Sequence, residues 1–280
     1  MFKILSSTLL APGVKRLEVE ARDIAAKARP GQFIVIRVSD KGERIPLTIA
    51  GKDLRRGTIT IIFQAIGTTT TALFQLNAGD RIRDILGPLG CPTDIQKAGS
   101  VAVIGGGVGV AEVLPVAQAY KEAGNTVIGI IGARSKNMLI LENELRQVCD
   151  KLYVTTDDGS AGQKGFVSDV LQNLLANGSH IDLVYAIGPV PMMRVIAAIT
   201  REHGIKTTVS LNPIMVDGTG MCGSCRVTIG GATHFACVDG PEFDGHQVNW
   251  DELLQRLNLF KQEEKISLDK FKTECKCPKE

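Results

Sequence analysis

No stretch of this chain approaches the run of about 18 apolar residues that a bilayer-spanning helix needs. A signal peptide is not expected either, because the opening MFKILSSTLLAPG has one Lys and a short apolar run broken by Ser-Ser-Thr. One-sided charge is also missing. The formal net charge is +2 and the basic residues are spread along the chain, so there is no electrostatic case for a nucleic-acid partner. There is no internal repeat and no low-complexity linker. An even, dense cysteine framework is absent too. The cysteines number seven, and five of them lie in the last quarter, whereas disulfide scaffolds are usually denser and even in count. These absences leave a cytoplasmic globular chain with no membrane partner. At 280 residues and 44% hydrophobic content it can form one large domain or two modest ones around a normal core. Clustered cysteines in that setting point to metal or redox chemistry.

Four segments follow from the residue patterns. Residues 1–96 are rich in short Ile, Val, Thr and Phe runs bounded by Gly, Pro and charge, as in GQFIVIRV, RIPLTIAG and GTITIIFQAI. Runs of this kind predict a small β-barrel or sandwich, ending in GDRIRDILGPLG as a last strand and loop. From 97 to 211 apolar strands alternate with helical stretches, which predicts an α/β doubly wound parallel sheet. The expected strands are SVAVI, TVIGIIGARS, KLYVTT, HIDLVYAIGP and KTTVSLN, and NMLILENELRQVC is expected as one helix. Residues 212–245 hold the cysteine segment. The tail 246–280 has an apolar stripe of Leu253, Leu254, Leu257 and Phe260, and is expected to be helical.

The turn Gly105-Gly106-Gly107-Val108-Gly109 follows the strand VAVI and opens a helix. Backbone N–H groups at a helix start point at an incoming anion, and glycines let a phosphate come close. The spacing is not G-x-G-x-x-G, so a plain strand-to-helix turn is the competing reading. GARSK at 132–136 and AIGPVPMM at 186–193 end two other parallel strands, where open α/β sheets bind ligands. Met at helical spacing is more often core than ligand contact. In the first segment, RIPLT at 44–48 lies near a second glycine-threonine run, GTTTTALF at 67–74, which offers N–H groups and hydroxyls to another phosphate.

The run R-I-P-L-T, then IGTTTTAL, then IGGGVGVAEVLP, then AIGPVPMM resembles, in order and over nearly the whole chain, the flavin- and nucleotide-binding motifs of the ferredoxin–NADP reductase superfamily. The resemblance implies that Arg44 binds the FAD pyrophosphate, within the strand that includes Pro46 and Leu47. Thr48 would hydrogen-bond the isoalloxazine near its reactive nitrogen, and Gly67, Thr68 and Thr69 would cradle the phosphates. It further implies that Gly105, Gly106, Gly107 and Gly109 receive NAD(H), flanked by Gly188, Pro189 and Met192. One departure is Ile187, where the family often has a Cys just before the Gly-Pro.

The last segment spaces its thiols C-x2-C-x11-C over Cys222, Cys225 and Cys237. An iron of a 2Fe–2S cluster takes two protein ligands, usually thiolates, so a fourth donor is wanted. The segment resembles the C-x4-C-x2-C-x11-C cluster site of dihydroorotate dehydrogenase electron-transfer subunits, with Asp217 where the first Cys would stand. A carboxylate is an anionic but harder ligand than a thiolate. Rival readings are structural zinc with His234 or His246, a distant fourth thiol at Cys275 or Cys277, and ordinary reduced cysteines. With that aspartate the chain resembles the small subunits of electron-bifurcating NADH-dependent ferredoxin:NADP oxidoreductases. The resemblance implies a larger partner subunit with a second FAD and iron–sulfur clusters, and exchange with ferredoxin through the complex. Sulfide dehydrogenase subunits and the dihydroorotate dehydrogenase subunits share the cofactors and differ in partner. A zinc-stapled nucleotide-binding regulator is the non-enzymatic alternative. Arg134 and Lys136 could meet a 2′-phosphate or simply suit a surface loop, so the residues do not choose between NAD and NADP.

Overall fold

Alternating Ile, Val and Phe over the first 90 residues put one face of each strand into a common core. In the computed structural model, which describes residues 1–40 and 42–274, that core holds Ile4, Leu17, Ile34, Ile36, Ile59, Ile61 and Phe63. Two sheets enclose it. One has five strands in the spatial order Gly51–Asp53, Thr58–Gln64, Val14–Glu20, Phe2–Ala11, Arg81–Ile82. The other has three, with Phe33–Arg37 between Arg44–Thr48 and Asp84–Leu89. The segment expected as β alone also contains two helices, Arg22–Lys27 and Thr68–Gln75. The second begins inside the GTTTT run, where the Thr70 hydroxyl accepts from the N–H of Gly67 at 2.9 Å and of Ile66 at 3.1 Å.

The second layer is a parallel sheet with the order Lys151–Thr156, Thr126–Ala133, Ser100–Gly106, Leu183–Ile187, Lys206–Ser210. The chain reverses direction at Ser100–Gly106, the central strand, so its carboxyl end is the switch point where such sheets hold ligands. The helices Val110–Glu122 and Glu142–Val148 pack on one face, and Val167–Ala176 and Val190–Glu202 on the other. The stretch NMLILENELRQVC is not one helix. Ile140 and Leu141 turn into the core, Leu141 takes a left-handed φ of 58°, and the α-helix starts only at Glu142.

The cysteine segment adds a hairpin, Arg226–Ile229 with Ala232–Phe235, and a strand Glu242–Asp244 that pairs antiparallel with Lys206–Ser210 at the sheet edge. The tail is two helices, Trp250–Leu257 and Lys261–Glu274. The second lies against the barrel helix Thr68–Gln75, with Ser267 Oγ 3.1 Å from Thr68 Oγ1. Cys275 and Cys277 lie outside the described residues. Among the described residues, no helix is long and apolar enough to cross a membrane.

Candidate functional site

The three groups of expected residues converge. The strand Arg44–Thr48 ends at Thr48, whose hydroxyl donates to Glu112 Oε2 at 2.9 Å. Glu112 sits in the first turn of the helix that follows the glycine turn, so this bond ties the barrel to the α/β sheet. Arg44 is exposed and makes no ion pair among the described residues. Pro46 and Leu47 pair in register with Val35 and Ile34. Gly67 starts the helix that contains Thr68 and Thr69, and the first N–H groups of a helix have no partner within it. Thr68 instead meets Ser267, and Thr69 is buried with its hydroxyl 3.4 Å from Glu43. An exposed Arg beside a helix start suits a diphosphate, although Glu43 stands close by.

The glycine turn and the AIGPVPMM loop touch. A Cβ on Gly106 would lie 2.4 Å from the Met192 sulfur and 3.1 Å from Pro189. One on Gly109 would lie 2.9 Å from the Ile187 carbonyl oxygen. One on Gly105 would meet Val113 at 2.7 Å, and one on Gly188 would meet Met192 at 2.8 Å. These glycines are therefore required by the packing of the two loops and of helix on strand. Gly107 differs, with φ +58° and nothing within 4 Å of an added Cβ. It is the glycine of this turn beside which the space is open. Met192 is half-buried between Gly106 and Gly188, while Met193 is core.

The x11 spacing of Cys225 and Cys237 is the length of the hairpin. Two four-residue strands joined through Gly230 and Gly231, both at positive φ, return the chain so that Ala236 N–H bonds the Cys225 carbonyl at 3.1 Å. The two sulfurs come 3.2 Å apart, both buried. Burial, and then the neighbouring Cys225, push the Cys237 thiol up to about 12. Cys222 is exposed, and the Ser224 hydroxyl 3.0 Å away lowers its thiol. Asp217 Oδ1 accepts from Thr219 N–H at 3.0 Å, and Oδ2 from Met221 at 3.1 Å and Cys222 at 2.9 Å. The Thr219 bond is the largest of the influences that hold its carboxyl below the usual range. The carboxylate thus folds the loop and stays ionised, keeping lone pairs for a further bond.

Thiolates on one tetrahedral metal at about 2.3 Å stand about 3.8 Å apart, so the Cys225–Cys237 pair needs to open by about half an ångström to share an iron. Among the described residues, no three His, Cys, Asp or Glu converge tightly enough for a single ion. The histidines of the zinc reading are engaged elsewhere. His246 Nε2 is 3.0 Å from Thr200, and His234 packs edge-on against Phe243. The loop lies on the barrel, because a Cβ on Gly218 would strike Leu89 at 2.7 Å and Val35 at 2.9 Å. Val35 belongs to the strand paired with Arg44–Thr48. The loop at Asp217 and Gly218 is therefore one strand away from Arg44–Thr48.

Three residues escaped the sequence reading. Tyr185, Glu112 and Glu242 form a polar group under Thr48, with Tyr185 OH 2.5 Å from Glu112 and 2.9 Å from Glu242. Thr93 donates to Glu242 at 2.5 Å. Glu112 in the apolar run VAEVLP was the available signal, since an acid buried in the core demands partners. Burial pushes Glu112 above the ordinary carboxyl range, and burial followed by repulsion from Glu112 pushes Glu242 to about 8. An unfolded Glu titrates near ~4.3. The folded chain therefore holds more protons between these values, and stability falls as pH climbs from about 5 to about 8. The slope is at most ~1.4 kcal/mol per pH unit for one proton. The carboxyls of Asp53, Asp84, Asp150 and Asp158 are lowered, so their contributions are complete below this window. Melting temperature against pH is expected to slope downward over this range, and Glu242→Gln to flatten it.

Comparison with known proteins fits this geometry. Residues 212–249 match the iron–sulfur cluster binding domain of dihydroorotate dehydrogenase B, and residues 103–198 match the oxidoreductase NAD-binding domain. The electron transfer subunit homolog of dihydroorotate dehydrogenase B from Thermotoga maritima is 47% identical over 96% of this chain and 95% of its own. The dihydroorotate dehydrogenase B electron transfer subunit of Desulforamulus reducens is 32% identical, over 89% of this chain and 97% of its own. A solved structure of an NADH-dependent reduced ferredoxin-NADP oxidoreductase, described for flavin-based electron bifurcation, superposes with a TM-score of 0.92. It shares 46% identity over 97% of this chain and 98% of that one.

Proposed function

The chain belongs to the family of dihydroorotate dehydrogenase B electron transfer subunits and their homologues, and from that premise we propose that it relays electrons between NAD(H), FAD and a 2Fe–2S cluster as the small subunit of an electron-bifurcating NADH-dependent ferredoxin:NADP oxidoreductase. The observation that carries this reading is the packing of the Asp217 loop, through Gly218, onto the strand beside Arg44–Thr48. By this reading that contact is what brings the cluster within electron-transfer reach of the flavin. Bound FAD supplies the exchange between hydride transfer and single-electron transfer. Arg44 and the start of the Thr68–Gln75 helix hold its diphosphate, and Thr48 faces its ring. The open room at Gly107 takes the nicotinamide nucleotide. Asp217, Cys222, Cys225 and Cys237 hold the cluster.

Cys222 is exposed on a loop with Val216, 45% exposed, and Met221, 88% exposed. This face is offered to the larger subunit, which by this reading exchanges electrons with ferredoxin. An absorption spectrum of the purified protein tests the class. Flavin bands with 2Fe–2S features are expected, and a colourless zinc-containing protein would overturn it. Identity does not choose the partner, because the oxidoreductase structure at 46% and the dihydroorotate dehydrogenase B subunit homolog at 47% stand level. Identification of the subunit that co-purifies from native cells decides between them.

For Asp217, replacement by Cys is expected to keep a cluster and shift its potential and its EPR spectrum. Asp217→Ala removes both the ligand and three N–H bonds, and is expected to cut iron content by about tenfold or more. Asp217→Asn keeps an acceptor for the loop but loses the charge. If it leaves the cluster spectrum unaltered, Asp217 is a loop-folding residue alone.

A further inference from the structure

Tyr185 carries one hydroxyl hydrogen yet touches two carboxyl groups. Its oxygen lies 2.5 Å from Glu112 Oε1 and 2.9 Å from Glu242 Oε1. A phenol can donate to one of them and must accept from the other. With both glutamates ionised, one contact would set phenol lone pairs against a carboxylate, in a place where water cannot intervene. The neighbouring hydroxyls do not relieve this. Thr48 spends its hydrogen on Glu112 Oε2, Thr93 spends its own on Glu242 Oε1, and Ser210 adds a bond to Glu112.

We propose that Glu112, Tyr185 and Glu242 hold one extra proton among them at neutral pH, and that Thr48 connects this shared proton to the floor of the flavin pocket. Two arrangements satisfy every bond. In one the proton is on Glu112 and Tyr185 donates to Glu242. In the other it is on Glu242 and Tyr185 donates to Glu112. They exchange by moving two hydrogens, with no heavy atom displaced. The group thus presents its proton at the Thr48 end or at the Thr93 end.

Glu112 is 3% exposed, and burial raises both acids. Asp94 acts on the group and raises Glu242 further, and Tyr120 beyond it is raised by burial first and then by Glu242 and Asp94. Among the described residues, no cation is among the charges shifting either glutamate. The hydroxyls of Tyr185, Ser210, Thr48 and Thr93 favour the ionised forms, and burial outweighs them at both acids.

Such a site answers a need of the chemistry. Oxidation of NADH by one-electron carriers gives NAD⁺, two electrons and one proton. The electrons leave through the cluster, and the proton requires its own acceptor. With one proton in place the group carries one negative charge and can take one more proton. Glu112 and Glu242 are positioning and proton-holding residues here, acting on the pocket through Thr48. The connection to the flavin rests on the functional reading above, whereas the shared proton does not.

Infrared spectra of the full-length holoprotein separate the two parts. A protonated-carboxyl carbonyl band is expected at pH 7, lost in both Glu112→Gln and Glu242→Gln, because an amide in either place donates to Tyr185 without a proton. Tyr185→Phe should keep the band at a shifted frequency. No such band between pH 6 and 8, or a band unmoved by both Gln variants, overturns the shared proton. The midpoint potential of the bound flavin, measured against pH, tests the connection. An inflection is expected in the native protein and absent in Glu112→Gln and Thr48→Val. If the carboxyl band behaves as stated but the potential follows the same pH course in all three, the connection through Thr48 is wrong. If the protein binds no flavin, the functional reading fails while the infrared result still decides the proton.

Discussion

Cys237→Ser is expected to yield a protein that keeps its flavin and its fold but carries at least about tenfold less iron per chain, with the 2Fe–2S EPR signal gone. Cys225→Ser should do the same. Both sulfurs are buried at the foot of the hairpin, 1% and 2% exposed, and held 3.2 Å apart by backbone pairing. Neither can be replaced from a neighbouring residue without unmaking the hairpin. A thiol that burial pushes up to about 12 is neutral at pH 7 until metal binds. Loading iron must therefore expel its proton, and cluster insertion is expected to accelerate with rising pH. A buried hydroxyl in place of the thiol adds about 1–3 kcal/mol of destabilisation if it finds no partner. Cys222→Ser is the contrasting case. Cys222 is exposed and its thiol is already lowered by Ser224, so a partially loaded, labile cluster is expected there. A full, unaltered cluster in Cys237→Ser would show that the hairpin thiols are not its ligands. Iron per chain, with EPR of the reduced protein, is the measurement.

Gly109→Ala is expected to damage nucleotide binding more than any other single methyl in the glycine turn. Its Cβ would meet backbone, the Ile187 carbonyl oxygen at 2.9 Å and the Gly188 Cα at 3.1 Å. Backbone at that distance has no rotamer to give, so the two ligand loops must separate. Overpacking of this kind costs about 1–3 kcal/mol. Because the displaced loops are those expected to flank the nicotinamide nucleotide, NADH affinity should fall by about tenfold or more for every ~1.4 kcal/mol lost from the bound geometry. Gly107→Ala separates packing from binding. Nothing lies within 4 Å of its Cβ, and the penalty is the left-handed φ of +58°, worth about 1–2 kcal/mol. A lowered melting temperature with a large loss of NADH binding is expected for Gly109→Ala. For Gly107→Ala a smaller drop in melting temperature is expected, with affinity still reduced because the methyl enters the open room. Equal NADH dissociation constants for native protein and Gly109→Ala would remove the two loops from the nucleotide site.

Much of this was visible in the residues before any coordinates. The alternation of apolar strands with helices from Ser100 onward describes a sheet whose order the structure supplies. The C-x11-C spacing announced the cluster segment, and the structure adds the hairpin turning at Gly230 and Gly231 that sets it. The iron–sulfur assignment of the segment and the NAD-binding assignment of the sheet both agree with the family matches. What stayed hidden was tertiary. Gly106 and Gly109 read as phosphate glycines, but their neighbours are Met192 and Ile187, some eighty residues away in the chain. The apolar run before Glu142 has helical spacing, yet Ile140 and Leu141 satisfy the core better by turning inward. The buried acids could not be paired from the sequence because Glu112, Tyr185 and Glu242 come from three separate stretches.

The contact between Thr68 and Ser267 has a consequence in the time of synthesis. The two residues are separated by 199 positions. Chains grow at about 5–20 residues per second, and N-terminal domains fold first. The barrel ends at Leu89 and therefore stands complete for roughly 9–36 s before Ser267 has been made. A cofactor entering at that end meets an open doorway on the ribosome and a partly covered one afterwards. Loading of the nascent chain and reloading of the finished protein are two different kinetic problems, and the second should be the slower.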